Sequence, residues 1–528
     1  MANFQRRQFL GLSAAVLGLG AAAPVRIFAN ATAGSGGVDP EAISRFIQAA
    51  SSRHEMHSLV IRRHGAQVVA GWWAPYRAGA VQSLYSLSKS FTSTAVGFAV
   101  TEKRLKVTDR VIDFFPDERP KQISDHLAAL RIQDLLTMSV GHAVDSTPVI
   151  TRQDDWTSAF LALPIEHAPG SVFLYNSGAT YMLSAILQKV CGVSLIDYLR
   201  PRLLVPLGIA DARWAVCPRG IDTGGWGLSI STESIASFGQ FYLQQGQWGG
   251  RQLLPKRWIE EATSFKIQQP GGPPPNPDLA QLKQVSDWHQ GYAYQFWRCR
   301  HDAYRGDGAF GQFCIVLPRQ DAVIAMTSMT PDMQGLLNLV WEHLLPGMSD
   351  GAIPDSAGAA RLSGEVDSLT LPVPKGAADS AYAARLSGKH FDLEQNDLGL
   401  RSVSLRFDGQ SSVFELHAQD SAHSVTFGVG QWRDGVTTMP GVPPEFSELI
   451  GRTSPLPLPI KVAAAGAWTD ENTFVMQWRY YETPHHDTVT CRFDADRVRI
   501  EFVNNITAIS GGAHPEIRPA LSGRLASQ

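Results

Sequence analysis

Hydrophobic spacing divides this chain into blocks before any single residue stands out. Within Glu41 to Ser52 the apolar residues Ile43, Phe46 and Ile47 share one helical face, which predicts a helix at the start of the folded part. His57 to Arg62 and Gln67 to Trp73 are short apolar-rich segments joined at His64-Gly65-Ala66, the pattern of a β-hairpin. Helical spacing returns over Ser86 to Val100, where Phe91, Ala95, Val96, Phe98 and Ala99 gather, and again over Arg131 to Leu136 and Thr180 to Val190. A Gly/Pro-rich stretch from Pro270 to Pro277 predicts a surface loop. Strands are then expected at Tyr292 to Arg298, Phe313 to Leu317 and Ala322 to Ser328, the last two joined by Pro318-Arg319-Gln320-Asp321, with a helix from Met333 to Leu345 closing the unit.

The pattern changes after Gly351. Ala and Gly are frequent to Gly376, with Pro372 and Pro374 among them, which predicts a linker over 351–377. Ser402 to Phe407, Val413 to Leu416, Val425 to Val429, Phe474 to Trp478, Val489 to Phe493 and Val498 to Phe502 alternate between apolar and polar and are separated by Asp, Gly and Asn turns. They predict a β-rich barrel or sandwich over 378–528, following a mixed α+β domain over 34–350. The β-rich part reads as accessory, because no nucleophile and base stand in it at an interpretable spacing.

At 528 residues, with 44% hydrophobic and 18% charged side chains, the chain can bury a sizeable core and is not dominated by disorder. A net charge of -3 without a long Lys/Arg run excludes the electrostatic footprint of a nucleic-acid or anionic-membrane binder and leaves a small-molecule substrate as the expected partner. Gln5-Arg6-Arg7-Gln8-Phe9-Leu10, followed by the apolar run Leu12 to Ala23, has the plan of a twin-arginine signal peptide over 1–33. Ala29-Asn30-Ala31 and Ala31-Thr32-Ala33 both suit cleavage, and the apolar run is too short to span a bilayer stably. The expectation is a periplasmic protein without a membrane span once the signal is removed. Cys191, Cys217, Cys299, Cys314 and Cys491 are odd in number and form no Cys-x-x-Cys pair, so no disulfide framework is expected.

Chemistry concentrates at three places. Ser86-Leu87-Ser88-Lys89 opens an apolar helical pattern, putting a hydroxyl and an amine one turn apart. A serine needs a base to become a nucleophile, and a lysine serves only where burial or a positive neighbour favours its neutral form. The competing reading is an N-capping serine beside a surface lysine. Phe173-Leu174-Tyr175-Asn176-Ser177-Gly178 places a phenol and polar residues on a loop before a helix, and Tyr175 near an ammonium is expected to have a lowered pKa. Its competing reading is a buried aromatic with a capping Asn or Ser. Gly306-Asp307-Gly308-Ala309-Phe310-Gly311 matches G-x-G-x-x-G, but a strand pattern follows it rather than a helix, which rejects a dinucleotide site. These glycines instead allow a substrate to approach an edge strand, with the N–H groups of Ala309 and Ser86 facing an oxyanion. His54-Glu55-Met56-His57 and the adjacent His485-His486 lack metal-site spacing, so neither metal nor cofactor is expected. No G-x-S-x-G elbow is present.

Taken in order, Ser86-Leu87-Ser88-Lys89-Ser90-Phe91-Thr92, Leu135-Leu136-Thr137-Met138, Tyr175-Asn176-Ser177 and Gly308 to Gln312 resemble the β-lactamase-related serine hydrolases, over roughly Glu41 to Leu345. That superfamily includes class C β-lactamases, D,D-peptidases, esterases and 6-aminohexanoate-dimer hydrolases. The resemblance implies an antiparallel sheet flanked by helices plus an all-α region. It also implies Ser86 as the acylated nucleophile, Lys89 and Tyr175 as its proton managers, and Gly308, Ala309, Asn176, Ser177 and Gln312 as oxyanion and substrate contacts. Two departures matter: Asn176 directly follows the tyrosine where the family has Tyr-x-Asn, and Gly306-Asp307-Gly308 stands where β-lactamases carry Lys-Thr-Gly. Arg305 is the adjacent candidate for the missing cation. An ester or amide substrate is therefore favoured over a β-lactam or cell-wall peptide, and a non-catalytic binder on the same scaffold is the alternative of another class.

Overall fold

The computed structural model describes residues 36–270, 278–353, 356–408, 411–441, 458–511 and 514–527. The expected signal peptide lies outside the described residues, as does the expected loop except for Pro270. A helix α1, Pro40–Arg53, begins at the capping carboxylate of Asp39, which accepts from the Glu41 N–H. The hairpin β1, Glu55–Arg63, and β2, Ala66–Trp72, turns on His64 (φ 50°) and Gly65 (φ 76°), two left-handed residues that match the strand twist. Then come α2, Ser88–Thr101; α3, Ser177–Cys191; and α4, Thr232–Leu243. The strands β3, Trp297–Arg298, β4, Tyr304–Gly308, β5, Gln312–Leu317, and β6, Ala322–Met329, and the helix α5, Met333–Leu339, complete this part.

The six-stranded sheet runs β2-β1-β6-β5-β4-β3, antiparallel throughout. Both faces are covered. Val60, Cys314, Val316 and Ala325 face α4 and the helical region, while Leu59, Ile61, Phe313, Ile315, Ile324 and Met326 face α1 and α5. A strand covered on both faces buries residues of either parity, which is why Leu59-Val60-Ile61 in the middle of β1 reads as an apolar run rather than an alternation, with buried His57, Ser58, Arg62 and Arg63 flanking it. Helix α2 is buried along its first twelve residues, Ser88 to Ala99, and forms the axis of the helical region.

Two expectations are corrected here. Tyr292 to Arg298 is not one strand: Gln295 adopts φ 63°, and the buried amide of that residue donates to the carbonyls of Leu135 (3.1 Å) and Leu136 (2.9 Å). The turn that delivers those bonds leaves only Trp297–Arg298 in the sheet. The expected linker contains a helix, α6, Ser356–Asp367, packed against α1 and β2, with Leu362 buried in the outer apolar cluster.

Beyond it, ten strands form a second sheet: β7, His390–Leu393; β8, Leu400–Arg406; β9, Ser412–Ala418; β10, Ala422–Val429; β11, Arg433–Thr437; β12, Ile460–Trp468; β13, Thr473–Arg479; β14, His486–Asp494; β15, Arg497–Asn504; and β16, Leu521–Leu525. A parallel pairing of Gly428 with Ala465 and Val429 with Gly466 joins β10 to β12 and closes the sheet into a barrel. Alternate residues such as Val489, Cys491 and Phe493 fill the interior.

The barrel is tied to the first sheet by charge as well as by packing. Arg479 of β13 makes a bidentate pair with Glu55 at the start of β1, at 2.6 and 3.1 Å, with the arginine side chain only 2% exposed. Burial pushes the Glu55 carboxyl up, but the guanidinium, the His57 hydrogen bond and His486 together hold it well below its ordinary value. Removing one partner of such a pair strands a buried charge. Arg479→Ala should therefore lower unfolding stability by about 3 kcal/mol in urea titrations, and Glu55→Gln combined with Arg479→Met should recover part of that loss.

Candidate active site

Ser86 lies in a short 3-10 turn, Tyr85–Leu87, running directly into α2, so the nucleophile and Lys89 are one turn apart on the same buried helix. Lys89 Nζ is 2.9 Å from Ser86 Oγ, 2.9 Å from Ser177 Oγ and 2.7 Å from the carbonyl oxygen of Gly225. The side chain is 1% exposed. Desolvation lowers its pKa from 10.5 to about 7, with Asp145 and Asp307 opposing the shift. The same amine lies 4.8 Å from the centroid of the Tyr175 ring, and the Ser86 side chain is close enough to the Tyr175 hydroxyl to act on its pKa. Ser86, Lys89, Tyr175 and Ser177 thus share one cluster.

Its walls explain its precision. Tyr175 stacks on Trp297, with centroids 5.3 Å apart. The Gly225 carbonyl comes from the turn Thr223 to Gly227, where a Cβ on Gly224 or Gly225 would lie 2.9 Å from the Thr180 or Ser177 carbonyl oxygen of α3. Thr92 Oγ1 donates to Gly224 O at 2.8 Å and pins this turn to α2. On the opposite side, a Cβ on Gly308 would lie 1.9 Å from the Leu84 carbonyl oxygen and 3.1 Å from the Ser86 nitrogen. The end of β4 therefore passes against the nucleophile turn at a distance that only glycine permits. Ala309 follows it in the chain and is half-buried.

Four residues expected at the site have the following surroundings. Asn176 caps α3: its Oδ1 accepts from Ser146 Oγ (2.6 Å) and Ala179 N (3.3 Å), and its Nδ2 approaches His142 Nδ1 at 3.0 Å. Gln312 is fully buried and donates to the carbonyls of Ala309 (3.1 Å) and Ser328 (2.8 Å), so it braces the turn after Gly308 from behind. The Tyr175 pKa is raised, not lowered. Burial dominates and Asp307 adds to it, outweighing the Ser86 side chain, which acts in the other direction. Ser177, expected at the substrate, is a direct partner of Lys89.

Arg305 does not replace the missing cation. Strand alternation turns Gly306 and Gly308 toward the nucleophile segment and Arg305 away from it. Its guanidinium is fully buried, lies 4.3 Å from the Trp288 ring, and donates to Asp307 (2.8 Å), to the Asp287 carbonyl (2.9 Å) and to Cys299 (3.1 Å). Sequence reasoning missed Gly225, Tyr85 and His485. The glycine cluster at Gly224-Gly225-Trp226-Gly227 was a readable signal for the first of these. All five cysteines are unpaired, and no acidic, His or Cys group among the described residues is arranged to hold a metal.

A serine, a buried lysine and a tyrosine at the head of a core helix, beside an antiparallel sheet, define a Ser-x-x-Lys serine hydrolase. The chain belongs to the β-lactamase family, whose model, described as Beta-lactamase, matches residues 43–339. It is similar to a 6-aminohexanoate-dimer hydrolase of Paenarthrobacter ureafaciens, 26% identical over 298 residues that cover 52% of this chain and 72% of that protein. Among solved structures, a putative β-lactamase from Bacteroides dorei aligns with TM-score 0.49 and 15% identity over 58% of this chain and 99% of its own. An octameric penicillin-binding protein homologue from Pyrococcus abyssi aligns with TM-score 0.46 and 15% identity over 91% of this chain and 99% of its own.

The Gly308 approach gives a signed test. Gly308→Ala should destabilise the protein by about 1–3 kcal/mol through overpacking against Leu84. Gly364→Ala, on exposed α6 where a new Cβ meets nothing, should instead stabilise by about 0.5–1 kcal/mol. Urea denaturation of both variants reads the two signs.

Proposed function

We propose that this chain is an exported hydrolase of the periplasm, sent there by its twin-arginine segment, that cleaves an ester or amide bond of a small substrate through an acyl-enzyme on Ser86. The observation that carries the reading is the Lys89 amine, 2.9 Å from Ser86 Oγ and with its pKa brought down to about 7. In the neutral form it takes the hydroxyl proton as Ser86 Oγ attacks the carbonyl carbon. The oxyanion is held by the N–H groups of Ser86 and Ala309. Tyr175 stays protonated, hands its proton to the leaving oxygen or nitrogen as the bond breaks, and regains one from the Lys89 ammonium. Water then attacks the ester by the same route in reverse, releasing the acid and restoring Ser86.

The substrate side follows from charge. A β-lactam or cell-wall peptide brings a carboxylate that needs a cation beside the third motif. Gly306 offers no side chain there, and Arg305 is buried and turned away, its Nε bonded to Asp307 and its Nη1 to the Asp287 carbonyl and Cys299. That favours an uncharged group at this position. The likeness to a 6-aminohexanoate-dimer hydrolase places linear amides beside simple esters in the range to be tried.

A panel of p-nitrophenyl esters, linear amide dimers, D-amino-acid amides and a chromogenic cephalosporin separates these classes; turnover confined to the cephalosporin would overturn the ester or amide reading. Ser86→Ala should abolish turnover and Lys89→Ala should lower kcat by about 1000-fold or more, since the base and nucleophile act as a unit. Because only neutral Lys89 accepts a proton, kcat/KM should fall on the acid side with a midpoint near 7 and level off above it. A rate independent of pH from 5 to 8 would remove Lys89 from the base role, because that range crosses the midpoint at which its amine loses the proton.

A further inference from the structure

The β-barrel reaches the nucleophile. Between Tyr480 and His486 the chain makes a tight turn, with Thr483 N donating to Tyr480 O (2.7 Å), Tyr480 N to His485 O (3.1 Å) and His485 N to Thr483 Oγ1 (3.0 Å). The turn is docked on the hydrolase part, where Ser83 N donates to Glu482 O (2.8 Å) and the Tyr76 hydroxyl to Thr483 O (3.3 Å). From its tip the His485 ring, 2% exposed, meets the hydroxyl of Tyr85, the residue before the nucleophile.

The proton positions in this contact are fixed by its surroundings. Asn505 Oδ1 accepts from His486 N (3.3 Å) while its Nδ2 donates to Pro484 O (3.2 Å), so the oxygen faces His485 Nδ1 at 3.3 Å. Nδ1 therefore carries the hydrogen, and Nε2 is left to accept from the Tyr85 hydroxyl. Burial brings the His485 pKa down to about 3, so the ring remains neutral and keeps this polarity at any working pH.

A third ring closes the group. Phe310 meets Tyr85 edge-on at 5.4 Å and 82°, and meets His485 at 5.4 Å and 83°. Tyr85 precedes Ser86 and Phe310 follows Ala309, so each oxyanion donor has one of these aromatic residues as its chain neighbour. Tyr85 and Phe310 also hold left-handed backbones, φ 49° and 69°, which non-glycine residues keep only where the surroundings impose them.

We propose that His485 is a positioning residue supplied by the β-barrel, which through Tyr85 and Phe310 fixes the aim of both oxyanion N–H groups. It touches no reacting atom. The barrel is on this view a working part of the active site, not an appendage. The inference rests on the acyl-enzyme reading above and deepens it.

The test uses the full chain. Tyr85→Phe removes one hydroxyl, His485→Leu removes the acceptor at similar size, and His485→Gln returns an amide oxygen near the Nε2 position. Tyr85→Phe and His485→Leu should each lower kcat for p-nitrophenyl butyrate and the rate of fluorophosphonate labelling by roughly 10- to 100-fold, because both reactions develop charge in the oxyanion hole. KM should stay within about twofold, and His485→Gln should recover part of the rate. If His485→Leu does not fold, Tyr85→Phe alone decides. Labelling rates within about twofold of wild type in the folded variants, or losses confined to KM, would overturn the positioning role. Failure of the wild type to label on Ser86 would instead sink the acyl-enzyme reading itself.

Discussion

A lysine nitrogen withdrawn from water and met by three oxygens is the constraint around which this hydrolase is arranged. An ammonium has three hydrogens to give, and Ser86, Ser177 and the Gly225 carbonyl accept all three. When one proton leaves, two donors and a lone pair remain, and the lone pair can turn to the serine without any heavy atom moving. That economy needs three separate segments held on one point. Helix α2 brings the amine and the nucleophile, α3 brings Ser177, and the glycine turn brings the carbonyl. The polar face of α2 supplies the ties: Ser88 Oγ accepts from Leu228 N at 3.1 Å, Ser90 Oγ donates to Gln295 O at 2.9 Å, and Thr92 Oγ1 donates to Gly224 O at 2.8 Å. Thr94 Oγ1 is held likewise, by the Ser90 carbonyl and the Tyr242 hydroxyl, whereas the buried Ser93 Oγ meets no hydrogen-bond partner.

The sequence disclosed those parts of the molecule whose information is local. The hairpin at His64-Gly65, the helices α1 and α3 and most barrel strands follow from spacing and turn chemistry within a dozen residues. Ile460–Trp468 did not, because its Val-Ala-Ala-Ala-Gly-Ala core has no alternation: nearly every position is buried, so the period that marks a strand is absent. Tyr292 to Arg298 misled for the opposite reason, since a strand-like composition is broken by a glutamine whose partners, Leu135 and Leu136, lie some 160 residues earlier.

The site divides in the same way. Ser86 with Lys89, and Tyr175 with Ser177, are readable as pairs because each sits within one turn of chain. Asn176 stood in a family motif, yet an asparagine just before a helix is also what a cap requires, and the cap prevailed. Gly225 and His485 stand 136 and 400 residues from the side chains they contact; the glycine cluster marks the first as a tight turn without saying what it meets, and nothing local marks the second as a partner of the nucleophile turn. The expectation of a lowered Tyr175 pKa failed because it counted a neighbouring charge and left out the larger effect of burial.

The position of β1 has a consequence for how the molecule is made. This strand is central in its sheet, yet its partner on one side, β6, is paired through Glu55 with Met329 and Arg63 with Ala322. A ribosome delivers β1 and β2 early and β6 some 260 residues later. Until then the edge of β1 that will meet β6, with Leu59-Val60-Ile61 at its middle, has no mate. The core must wait for its closing strand, so synthesis and collapse are separated in time, and the growing chain carries an unpaired strand edge of the kind that invites association.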